Sequence, residues 1–168
     1  MISRYAREGM SRIWEPANKF QTWLDIEIAA CEAMAELGLI PPASLKTIKE
    51  RAAFDISRID EIEKTTKHDV IAFLMSVTEN VGEDGRFIHM GMTSSDVLDT
   101  SLAMLLVQSA NILLKDIDSL LSVLHDKALE YKDTVMIGRS HGVHAEPITV
   151  GLKMALWYEE MKRHQKRL

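Results

Sequence analysis

Residues 95–132 read SDVLDTSLAMLLVQSANILLKDIDSLLSVLHDKALEYK, and neither glycine nor proline interrupts them. Ser95-Asp96 opens the stretch with a capping residue. At 1.5 Å per residue, a helix of this length extends for ~57 Å. Leu98, Leu102, Leu105, Leu106, Leu113, Ile117, Leu120, Leu121 and Leu124 give it an apolar stripe broader than the seam of a two-stranded coiled coil. A helix of that kind has to pack on several neighbours.

Working outward, the upstream chain reads as shorter helices. Pro16 suits a first helical turn and Gly38 a C-terminal cap. Between them Phe20, Trp23, Leu24, Ile28, Cys31 and Met34 supply an apolar face, with Glu27, Glu32 and Glu36 assigned to the polar remainder. Pro41-Pro42 starts a helix aligning Leu45, Ile48 and Ala52, and Asp55-Ile56-Ser57 opens another. A further helix follows His68-Asp69 and ends near Gly82, before a turn at Glu83-Asp84-Gly85. Downstream, Thr134 to Glu146 reads as a loop, and Pro147 as the start of a last helix carrying Ile148, Leu152, Ala155 and Leu156. No alternation is long enough to force a sheet. The expectation is an all-α protein, with a small N-terminal helical domain over 1–93 and the first part of a long-helix bundle over 94–168. The terminal basic run has no cap, so the chain reads as cut rather than finished.

Composition narrows the function classes. With 46% hydrophobic and 27% charged residues in 168, the chain resembles soluble globular proteins. Twenty Lys+Arg against 25 Asp+Glu leave a net charge of −5, which argues against gripping a nucleic acid backbone but permits a pocket for one phosphate. Cys31, the lone cysteine, can form neither an internal disulfide nor a thiolate metal site, and points to a reducing, cytoplasmic setting. The N-terminus has no signal-like apolar region. The longest apolar runs, such as Leu102 to Val107, fall far short of the roughly 20 residues that span a bilayer, so no membrane partner is expected.

Reactive side chains collect in four segments at helix ends or loops. Arg4-Tyr5 pairs a cation with a phenol, and Lys67-His68-Asp69 sets a histidine between a cation and a carboxylate at a helix start. Arg86 to Asp96 contains His89 and the hydroxyls of Thr93, Ser94 and Ser95 at a helix N-terminus, which suits a carboxylate or phosphate as well as a simple capping box. In Gly138-Arg139-Ser140-His141-Gly142 the flanking glycines let backbone approach a ligand, and histidine can donate a proton near neutrality. His141, His144 and Glu146 also admit a metal reading, weakened because they share no regular helical face.

Together with Val97-Leu98-Asp99-Thr100 and Val143-His144-Ala145-Glu146-Pro147, these segments closely resemble the adenylosuccinate lyases, a family of the fumarase/aspartase superfamily. The resemblance covers the whole chain, but members of that family are more than twice as long. It implies β-elimination of fumarate from a succinylated purine nucleotide, without metal or organic cofactor. It implies His141 as general acid, with Ser140, standing where a threonine is common, and Thr93 and Ser94 holding substrate carboxylates. Arg4, Tyr5 and His89 match the phosphate side, Lys67 and Asp69 match neighbours of the nucleotide, and His68 matches a second active-site histidine in a supporting role. The base-bearing serine loop and the acid's glutamate partner have no counterpart in these residues, so they are expected to be inactive alone. The family assembles each active site from three subunits of a homotetramer built around long helices. Another superfamily lyase, acting on argininosuccinate or a carboxymuconate, and a non-catalytic helical assembly protein are the alternatives. His125 and His164 match no motif and read as surface histidines.

Overall fold

The computed structural model describes residues 2–168, with Met1 outside the described part. In chain order it contains α1 (Glu8–Ile13), α2 (Pro16–Glu36), α3 (Pro42–Arg51), α4 (Ile56–Thr66), α5 (Asp69–Val81), α6 (Ser94–Glu130), β1 (Val135–Ser140), β2 (Val143–Thr149) and α7 (Val150–Arg167). Short 3-10 turns lie at Ser3–Tyr5 and Gly82–Phe87. The chain is dominantly helical, as its punctuation requires. Backbone contacts divide it into two compact units, Met1–Gln108 and Ser109–Leu168.

The first unit is built around α2 and α5. Phe20, Trp23 and Phe73 interlock, with Phe20 stacked on Phe73 at 5.8 Å and Trp23 meeting both rings edge-on. Ile48, Ile59, Val70, Val77 and Val97 are fully buried around them. The Trp23 indole N–H donates to Ser101 Oγ at 3.0 Å, so the polar edge of the largest core ring is satisfied by the start of α6. Between α4 and α5, Arg58 places both Nε and Nη2 on the Glu79 carboxylate and also pairs with Glu61. One member of the apolar stripe of α2 is unexpected. Glu27, read as part of the polar face, is only 1% exposed. The order 20, 24, 27, 31, 34 alternates steps of four and three, which sets position 27 inside the stripe it was thought to flank.

The second unit joins the latter part of α6, a β-hairpin and α7. The hairpin corrects the expected loop over Thr134 to Glu146. Val135 pairs with Thr149 and Ser140 with Val143, leaving His141-Gly142 as a two-residue turn. His141 at φ 53° and Gly142 at φ 75° have the paired positive dihedrals of a type I′ turn, whose twist matches that of the strands it joins. Pro147 does not open α7 but sits in β2 opposite Ile137; each strand of a two-stranded ribbon has a free edge, where a missing N–H is tolerated. The helix starts at Val150 instead, capped by Thr149, whose Oγ1 accepts from the Leu152 N–H at 3.1 Å. Gly151 fits there because a Cβ would run into Ala128 O and the Lys132 backbone, and its N–H donates to Tyr131 O at 2.9 Å.

α6 also requires a correction. The expectation of no bilayer-length segment rested on uninterrupted apolar runs, but one 18-residue stretch of α6 is apolar enough to cross a membrane by length and composition, a property the core helices of soluble proteins share. Leu102, Leu106, Val107, Leu113, Leu120 and Val123 are all substantially exposed along it.

Candidate active site

In the first unit, the polar segments lie at helix ends. Arg4 and Tyr5 occupy the first 3-10 turn, with the guanidinium carbon 4.7 Å from the centre of the exposed phenol ring. α4 terminates on Lys67, in the left-handed region at φ 55°, which turns the chain sharply and hands it to His68 as the N-cap of α5. His68 Nδ1 accepts a long 3.5 Å hydrogen bond from the Ile71 N–H and lies 3.5 Å from Asp69 Oδ1. The Asp69 carboxylate in turn accepts from the Val70 N–H at 2.8 Å. His68 and Asp69 are each 46% exposed, so capping leaves a large part of both side chains open to a ligand.

The segment before α6 turns twice through the left-handed region, at His89 (φ 64°) and Gly91 (φ 74°). Thr93 then donates its N–H to Asp96 Oδ2 at 2.8 Å, while the Asp96 N–H donates to Thr93 O at 3.0 Å. This is the carboxylate half of a capping box, and it fixes the backbone that carries the exposed Thr93 and the half-buried Ser94.

His89 is held differently from the other histidines. Its backbone N–H donates to Glu27 Oε2 at 2.9 Å and its ring Nδ1 lies 2.6 Å from Glu27 Oε1, so one buried carboxylate grips both the main chain and the side chain. The Cys31 thiol, one turn along α2, is pushed up to about 11 by burial and then by the charge of Glu27. The contact of Glu27 with His89 was missed in the sequence; the signal that could have found it was the four-three spacing of position 27.

In the second unit Ser140 and His141 stand at the tip of the hairpin, both exposed. The positive φ of His141 is uncommon for a non-glycine residue and is what the first position of this turn demands. Behind it Arg139 pairs in register with His144, their side-chain nitrogens 3.4 Å apart. A register irregularity at Gly138 lets the strands close up, since a Cβ there would sit 2.7 Å from Glu146 O. Among the described residues, no three His, Cys, Asp or Glu side chains converge as metal ligands. A concavity of about 750 Å³ lies against Ile148, Leu152, Leu156 and Trp157 and reaches Gly138 and Arg139, next to the hairpin tip. His125 and His164 are exposed.

Structure thus brings His89 to Glu27, His68 to Asp69, Thr93 to Asp96, and Ser140 beside His141. Comparison with known proteins gives these groupings a context. A model of the lyase family matches residues 3–168. The chain belongs to the lyase family. It is 56% identical over 167 residues to the adenylosuccinate lyase of Bacillus subtilis (strain 168), covering 99% of this chain and 39% of that relative. Against the adenylosuccinate lyase of Aquifex aeolicus (strain VF5) the identity is 53%, covering 100% of this chain and 39% of the relative. This lyase chain therefore spans about 39% of the length of the curated relatives it matches. The solved fumarate lyase from Mesorhizobium sp. BNC1 superposes with a TM-score of 0.90 at 26% identity, over 96% of this chain and 39% of that one. The 3-carboxy-cis,cis-muconate lactonizing enzyme from Pseudomonas putida gives 0.89 at 28% identity, over 98% and 39%. The family resemblance read from the four motifs agrees with these matches.

Proposed function

We propose that this chain forms the N-terminal portion of a carbon–nitrogen lyase that eliminates fumarate from adenylosuccinate, giving AMP, and from the succinylcarboxamide ribotide, SAICAR, giving AICAR. The observation that carries the reading is the contrast in identity: above 50% to adenylosuccinate lyases, but 26% and 28% to the fumarate lyase and muconate enzyme of the same fold. The chemistry requires a base at the succinyl carbon beside a carboxylate, an acid for the departing nitrogen, and donors for the carboxylate on which charge develops. As the C–N bond breaks, its electron pair leaves with nitrogen, and His141 supplies the proton. Ser140, Thr93 and Ser94 hold substrate carboxylates. Arg4, Tyr5 and His89 receive the phosphate, Lys67 and Asp69 flank the nucleotide, and His68 supports the reacting end. No step in this scheme calls on a metal or organic cofactor.

The exposed leucines of α6 support a homo-oligomer in which long helices from several copies cover one another, and the family reading makes it a cytoplasmic homotetramer. That occupant accounts for the apolar character of α6 without a bilayer.

The test joins residues 1–168 to the rest of the Bacillus subtilis relative and follows fumarate release. The chimera is expected to turn over adenylosuccinate, to be inhibited by AMP, and to lose about 100-fold or more in kcat on His141→Ala. A folded chimera that cleaves argininosuccinate and ignores AMP would transfer the reading to another lyase of the superfamily. Assembly that survives joint substitution of His68, Ser94 and His141, in a chimera without turnover, would favour a helical assembly protein.

A further inference from the structure

Glu27 is a buried carboxylate to which the reaction scheme above gives no task. Such a group is costly unless its oxygens are paired and hydrogen-bonded. Here both oxygens are used, and both by one residue: Oε2 takes the His89 N–H at 2.9 Å and Oε1 meets His89 Nδ1 at 2.6 Å. Glu27 belongs to the middle of α2, while His89 lies 62 positions later in the turn that leads into α6. The carboxylate therefore anchors that turn to the rigid helix beneath it.

The grip acts on two degrees of freedom at once. His89 sits at φ 64°, a left-handed conformation that strains a non-glycine residue. A hydrogen bond from its own N–H to a charged acceptor offsets that strain and holds the main chain there. The second contact sets the ring. A carboxylate has no proton to give, so Nδ1 carries it, and Nε2 becomes the nitrogen left for a ligand. Exposure follows the same division, with Glu27 1% and His89 17% exposed. The relation resembles that of a carboxylate which orients a metal-bound histidine, except that a phosphate oxygen only accepts, so the ring that binds it carries a proton on both nitrogens, Nδ1–H toward Glu27 and Nε2–H toward the phosphate.

We infer that Glu27 is a positioning residue for substrate recognition: it clamps backbone and ring of His89 so that an Nε2–H is presented to the phosphate of the nucleotide. This rests on the proposed function, which sets His89 on the phosphate side. Glu27 touches only His89 in this role and is not a catalytic residue.

Two readouts separate the clamp from the functional reading. In the 15N-labelled 168-residue chain, ring nitrogen signals of His89, recorded where the ring is neutral, should show the proton on Nδ1. Glu27→Gln, whose amide oxygen still accepts, should preserve that state, and Glu27→Leu should lose it. In the chimera, Glu27→Leu should raise KM for adenylosuccinate and the inhibition constant of AMP by roughly ten- to hundredfold, the range for a lost charged hydrogen bond. Inhibition by adenosine, which has no phosphate, should change little, and Glu27→Gln should recover part of the loss. Should Glu27→Leu fail to fold, the cycle of Glu27→Gln with His89→Gln decides, because the effect of the first should vanish in the background of the second. A wild-type ring with Nδ1 unprotonated, equal losses for AMP and adenosine, or a Glu27 effect that persists without His89 would each overturn the inference. A wild-type chimera silent toward adenylosuccinate would overturn the functional reading instead, since the ring signals judge the clamp without substrate.

Discussion

At Cys31 the surroundings decide reactivity. The thiol is 1% exposed and is pushed up to about 11, first by burial and second by the nearby charge of Glu27. It should resist iodoacetamide at pH 8 in the native chain and react promptly in denaturant, as a mass shift would show. Between the ordinary value of 9.0 and about 11 the folded state keeps a proton that the unfolded state has lost. Stability should therefore fall as pH rises through that window, and Cys31→Ala should flatten the fall. Gly142 illustrates a different constraint, because its φ of 75° leaves open space around a Cβ but strains any L side chain. Gly142→Ala should cost about 1–2 kcal/mol in thermal unfolding through the turn alone.

Single contacts also decide how elements hold together. The Arg58–Glu79 pair ties α4 to α5, and its hydrogen bond is the main reason the Glu79 carboxyl lies below its ordinary 4.5. A depressed carboxyl stabilises the fold above its unfolded value, and that contribution is lost as pH falls through the folded one. Melting temperatures followed from pH 6 to pH 3 should consequently drop less steeply in Glu79→Gln than in the parent, the exposed position keeping the difference small. In the hairpin, Gly138→Ala would push a Cβ against Glu146 O. We expect a loss on the order of 1–3 kcal/mol and faster amide exchange in both strands, since the conflict is with backbone that has little room to yield.

Across the whole molecule, the exposed leucines of α6 and of α7, where Leu152 and Leu156 are each 61% exposed, leave more apolar surface than a monomer comfortably carries. The 168-residue chain should sediment as an oligomer, and Leu106→Asp combined with Leu113→Asp should shift it to a monomer without loss of helical circular dichroism. By itself the sequence determined the middle helices, α2 to α6, though neither α1 nor the start of α7: long periodic stripes, Pro16, Gly38, Asp55 and the gap-free run before Gly138 each impose local geometry through neighbours a few residues away. The family was legible too, because its motifs are short runs of adjacent residues. The hairpin was harder to read, since thirteen residues (Val135–Ser140 and Val143–Thr149) give strands too short for a convincing period, and their pairing depends on a turn whose His-Gly chemistry is a weaker signal than Asn-Gly. Tertiary structure alone decided what Glu27 does. Its partner lies 62 positions away, and no periodicity along α2 can say whether a charged residue within an apolar stripe is an error of pattern or a clamp. Burial selects between the two, because a carboxylate removed from water persists only where another part of the chain arrives to donate to it.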